Sequence, residues 1–69
     1  MAMAPRYPDI RISLHSHNPF ALVSAVRHAM RRSRVDAGEI HRFTEEALRS
    51  EEPGRIRDVC ASWATVEVQ

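Results

Sequence analysis

Three observations predict a small α+β domain. Two segments near the ends of the chain, Asp9 to Leu14 and Thr65 to Val68, alternate apolar and polar residues. Between them, apolar residues recur at helical spacing in two capped stretches and a short third one. The chain has 69 residues, enough for one domain. The expected order is strand, helix, helix, short helix, strand. Residues 1–8 are read as a loose, flexible N-terminus with two prolines and 9–69 as one domain. Its helical hairpin packs on a two-stranded sheet formed by the chain ends, since a lone strand leaves its backbone groups unpaired.

In the first strand Ile10, Ile12 and Leu14 fall on one side and Arg11 and Ser13 on the other, the period of a half-buried strand. The first helix opens with Asn18 as N-cap and Pro19 at the first helical position, where no backbone donor is needed. Leu22, Val23, Ala25, Val26, Ala29 and Met30 make its apolar face, opposite Ser24, Arg27, His28, Arg31 and Arg32. It should stop near Ser33 or Arg34. The second helix starts at Asp36, which has the capping-box spacing to Glu39, with Val35 and Ile40 placed as a hydrophobic staple. Its expected stripe is Ile40, Phe43, Ala47 and Leu48, fading near Ser50. Pro53-Gly54 punctuates the chain. Ile56, Val59, Cys60 and Trp63 then suggest a short third helix before the last strand, where Val66 and Val68 point inward.

Bulk properties narrow the function classes. A chain of this size buries only about 60% of its unfolded surface, so its core is thin. That thinness and the open edges of a two-stranded sheet favour a partner or a homodimer. The one cysteine, Cys60, cannot make an internal disulfide, which fits a reducing, cytoplasmic setting. No signal peptide is expected at Met1 to Pro8 and no apolar run is long enough for a membrane span. Net charge is +1 and every basic residue is arginine. A GC-rich genome accounts for that bias; selection for bidentate contacts to carboxylate or phosphate is the functional alternative.

The charge pattern is the main functional signal. Arg27, Arg31, Arg32 and Arg34 crowd the end of the first helix with no acid among them, whereas Asp36, Glu39, Glu45, Glu46, Glu51 and Glu52 dominate the next stretch. Such arginines ordinarily pair with the facing acids and complement the helix dipole. Alternatively they form a binding surface for phosphate or an acidic protein. The hairpin also has helix-turn-helix proportions, with Ser33-Arg34-Val35 as the turn and small Ala29 where the helices would cross. Its second helix would then enter the major groove. That helix carries Glu39, Glu45 and Glu46, which DNA repels, leaving His41, Arg42, Thr44 and Arg49 as contacts.

Other constellations have plainer readings. His15 and His17 could form a metal pair, with His28 and His41 in support, but no carboxylate or thiol has a recognised ligand spacing beside them. Loop histidines are the ordinary reading, and no metal or cofactor is expected. Cys60 lies on an apolar stripe with no base to activate it. Trp63 belongs to the core, where its indole wants an acceptor. Glu45-Glu46 and Glu51-Glu52 are neighbours in sequence, which on a helix do not face each other. No glycine-rich phosphate loop exists. No catalytic residue is therefore assigned.

One wider likeness rests on Asn18, Phe20, Leu22, Val23, Val26, Ala29-Met30-Arg31-Arg32, Val35-Asp36, Glu39-Ile40, Phe43, Glu46-Ala47, Cys60, Trp63 and Val66. The series resembles a group of short uncharacterised bacterial and phage-associated proteins. These have an N-terminal strand, an Asn-x-Phe helix, a Glu-Ile-x-x-Phe helix and a Cys-x-x-aromatic ending. The resemblance spans residues 9 to 68. It departs at Ser33, where glycine is usual, and at Glu51 to Gly54, where Gly-Asp-Tyr is usual. It implies the architecture and no mechanism.

The expectation is a non-enzymatic protein-binding or regulatory module. Its partner would be another protein or a second copy, with Arg27, Arg31, Arg32 and Arg34 as the binding residues. A helix-turn-helix-like regulator that binds nucleic acid through the arginine-rich end of the first helix is the alternative.

Overall fold

A computed structural model describes residues 4–14, 18–50 and 52–68, with the side chain of Val68 outside that description. His15, His17 and Glu51 also lie outside the described residues. The order is β1 (Tyr7–Leu14), α1 (Pro19–Arg32), α2 (Ala37–Arg49), α3 (Pro53–Trp63) and β2 (Ala64–Val68). The sheet of β1 and β2 packs with the helices as a small α+β domain.

The strands pair in parallel, Arg11 with Thr65 through Leu14 with Val68. Parallel neighbours need a crossover connection, and here three helices supply it. An odd number of passes has the parity to bring the chain back to the end where β1 began. β1 starts earlier than the alternation indicated, so the loose terminus expected through Pro8 is too long by Tyr7 and Pro8. Between Tyr7, opposite Ala64, and Arg11, opposite Thr65, the register slips. Pro8 falls in this irregularity, the place within a sheet where proline's missing donor is tolerated. The Thr65 hydroxyl donates to the Pro8 carbonyl at 2.8 Å and closes it.

α1 is capped as expected: the Asn18 side chain accepts from the Phe20 amide at 2.9 Å. Leu22, Val23, Val26 and Met30 are buried along it. At the far end Ser33 keeps φ at −86° and Arg34 takes φ of 61°. The Val35 amide donates to the Met30 carbonyl at 2.9 Å and the Arg34 amide to that of Arg31 at 3.1 Å. This is a Schellman ending in which arginine fills the left-handed position that glycine usually takes. The absence of glycine at Ser33 therefore does not remove the left-handed cap, which forms one residue later.

α2 departs from expectation at two points. Asp36 accepts from the Gly38 amide at 2.9 Å. Glu39 does not reach back to complete a capping box; its carboxylate goes to Arg6 and Tyr7 instead. Leu48 is 52% exposed, whereas Ile40, Phe43 and Ala47 are buried. One residue turns a helix by about 100°, which carries Leu48 beyond the stripe that Ala47 ends. α3 is longer than expected. Pro53 does not stop the chain but occupies the first helical turn, where its missing N–H costs nothing. A Cβ on Gly54 would meet nothing within 4 Å.

The core joins Ile10 and Ile12 of β1 to Phe43, Ile56, Cys60 and Trp63 of the helices, with Val66 packed at its edge. Trp63 is its hub on one side. Phe43 meets it edge-on at 5.7 Å, Tyr7 stacks at 6.2 Å, and the Arg6 guanidinium lies over the ring at 5.0 Å. The indole Nε1 donates to Glu46 at 3.3 Å. Arg6 also pairs with Glu39, and its amide donates to the Ser62 carbonyl at 3.0 Å.

Candidate functional site

The arginines near the end of α1 are distributed over three clefts. Residues four apart on a helix share a face, so Arg27 and Arg31 line one groove of about 220 Å³ against Ala37, Ile40, His41 and Thr44 of α2. Arg32 is turned away from them. It lines a cleft of about 370 Å³ with Asp9, Arg11, Ala29 and Ser33. Ala29 thus faces β1 rather than a crossing with α2. Arg34 belongs to a third cleft, about 430 Å³, together with Arg6, Asp9 and Asp36. The solvent face expected to unite Arg27, Arg31 and Arg32 is therefore split.

The expected pairing between these arginines and the acids of α2 is not found. Among the described residues, no carboxylate forms an ion pair with Arg27, Arg31, Arg32 or Arg34. The α2 acids are engaged elsewhere. Glu39 takes Arg6 and, at 3.9 Å, Arg42. Glu45 takes His41 at 3.1 Å, and Glu46 accepts from Trp63. The α1–α2 groove is consequently cationic, with Glu45 the acid at its rim through His41.

Arg27 is the unusual member. It is half-buried, and its Nε is shielded from solvent with no hydrogen-bond acceptor. A buried donor left unmade costs about 1–3 kcal/mol. Thr44 does not relieve it, because its hydroxyl donates to the Ile40 carbonyl at 2.7 Å. Ala37 opens α2, so the positive pole of that helix lies at the same groove.

The other candidates are dispersed. His28 is exposed on α1, and among the described residues no three of His, Cys, Asp or Glu converge as metal ligands. Cys60 is fully buried and its burial pushes the thiol up to about 11. It acts as a small apolar side chain. Among the described residues no helix is long and apolar enough to cross a membrane.

Sequence reasoning named Thr44 only as a possible DNA contact, and it missed Ala37 as a groove residue, Arg11 beside Arg32, and Arg6 with Tyr7 at Trp63. Arg11 had a usable signal, its outward position on an alternating strand. Arg6 had none, since its partners lie far along the chain. Comparison with protein-family models, curated proteins and solved structures finds no match to the chain. None of these comparisons bears on the expected likeness to short bacterial and phage-associated proteins.

Proposed function

We propose that the protein is a non-enzymatic binding module for an acidic protein partner, gripped in the groove between α1 and α2. The observation that carries this reading is that, among the described residues, Arg27 and Arg31 have no ion-pair partner beside α2 acids that are engaged elsewhere. Arginine is suited to the task because its planar fork matches carboxylate and phosphate oxygens. Arg32 and Arg34, in neighbouring clefts, extend the positive surface and contribute less. A reducing cytoplasmic compartment fits the single buried thiol of Cys60.

Nucleic acid is the competing partner. Against it stands the exposed side of α2, where Glu45 and Glu46 would face a phosphate backbone. The test is fluorescence anisotropy with a labelled hexaglutamate peptide and a random-sequence DNA duplex, each across a salt series. The peptide should bind, lose binding in the Arg27→Ala/Arg31→Ala double variant, and keep most of it in Arg32→Ala. Duplex binding tighter than peptide binding, with a steep salt slope, would assign the surface to phosphate backbones instead. Sedimentation of the same samples tests whether a second copy competes for the groove.

A further inference from the structure

The groove between α1 and α2 gathers more positive charge than one carboxylate neutralises. Arg27 brings a guanidinium whose Nε is buried without an acceptor. Arg31 lines the same groove one turn further on, and such pairs stand about 5–6 Å apart at Cβ. His41 adds an imidazole from the facing helix. A carboxylate carries one negative charge, so it neutralises only one of two guanidinium groups even when it accepts from both. A phosphomonoester presents three terminal oxygens and close to two negative charges near neutral pH, so it can engage both guanidinium groups at once.

The shape points the same way. At about 220 Å³ the groove is smaller than the clefts that hold Arg32 and Arg34, which suits one compact head group. A continuous run of phosphodiesters would have to pass the Glu45 carboxylate held on His41 at the rim.

We propose that this groove is a phosphomonoester subsite, in which the Arg27 and Arg31 guanidinium groups hold the phosphate of a phosphorylated side chain on the acidic protein partner. It deepens the function proposed above and rests on it. The bound phosphate meets Arg27 and Arg31 from the groove side, which both residues line, while the Arg27 Nε stays shielded from solvent and reports on the site next to it. The Glu45 carboxylate keeps His41 turned along α2, so the imidazole flanks the phosphate while the two arginines carry the charge.

The test uses the full chain labelled with nitrogen-15 and three probes. These are a phosphoserine pentapeptide flanked by glutamates, the same peptide with glutamate at its centre, and inorganic phosphate. The readouts are the Arg27 Nε–Hε resonance and the backbone amides of α1 and α2. The phosphopeptide should shift the Arg27 resonance saturably and bind about ten-fold more tightly than the other two probes. Arg27→Lys keeps the charge but loses the fork and should erase that preference. Arg31→Gln should do the same from an exposed position, and serves if the lysine variant folds poorly. Equal binding of the two peptides overturns the phosphate subsite and leaves the acidic-partner reading standing. Inorganic phosphate binding as tightly as the phosphopeptide overturns the side-chain source. Binding of neither peptide overturns both readings.

Discussion

At the Trp63 cluster, Arg6 lies over the indole at 5.0 Å and pairs with Glu39. In the α1–α2 groove, Arg27 keeps a buried Nε with no acceptor. The first arginine is consumed by the fold: its cation meets an aromatic face and an acid, and both contacts tie the start of the chain to α2 and α3. The second is left over. Among the described residues it has no ion-pair partner, and its desolvated donor costs stability in the isolated protein. Identical residue types therefore separate into structural and available ones only when their partners are located.

The largest effect should come from breaking the consumed side. Trp63→Ala removes the ring on which Phe43, Tyr7 and Arg6 converge, and loss of a buried tryptophan costs about 3–5 kcal/mol. A domain of this size has little more to lose, so urea titration of the variant should show a largely unfolded protein. A variant as stable as the parent would mean that the cluster is not the hub.

A smaller pair of substitutions sharpens the contrast between the arginines. Arg27→Met removes the unsatisfied donor while keeping an unbranched apolar stem, and should raise stability by roughly 1–2 kcal/mol. Arg6→Met should lower it, because the ion pair and the cation–π contact vanish. Opposite shifts in thermal midpoint are expected, and a drop in both would place Arg27 among the structural residues.

At the hinge between these regions, Arg34 holds a left-handed backbone at φ of 61°. Arg34→Gly should stabilise the fold by about 1 kcal/mol, since glycine takes that conformation without the steric penalty of a Cβ. Denaturant midpoints compared between the variant and the parent check the sign.

The smallest effect concerns Cys60. Its folded thiol, pushed by burial up to about 11 from an ordinary value of 9.0, keeps its proton where the unfolded thiol has lost one. The native state then binds more protons, so stability from this group is complete below pH 9 and declines as pH rises towards 11. Reaction with a disulfide reagent near neutral pH should be negligible until denaturant unfolds the chain. Rapid modification of the native protein would contradict the buried placement.

The helices were legible because their signals are local. Asn18, Pro19 and Asp36 mark helix starts by chemistry confined to a few residues, and the apolar spacing of Leu22 to Met30 states which face is buried. Misreadings arose where a second element intervened. Glu39 has the right spacing for a capping box, but Arg6 and Tyr7 offered its carboxylate better partners. Pro53-Gly54 resembles a stop, but a proline at the first helical position costs nothing. The arginine group was legible as a composition and not as a site, because one residue of helical rotation sends Arg32 to a different cleft from Arg31.

By itself, then, the sequence determined the α+β class, the order of elements, the starts of α1 and α2 and most of the core, all of which follow from periodicity and capping within short windows. The tertiary structure alone decided that the end strands run parallel, that Arg6 and Tyr7 close over Trp63, and that the acids of α2 turn away from the arginines of α1. Those outcomes depend on which groups meet across tens of residues. Each contact forms only where it offsets the desolvation of both partners, and no local pattern records that balance.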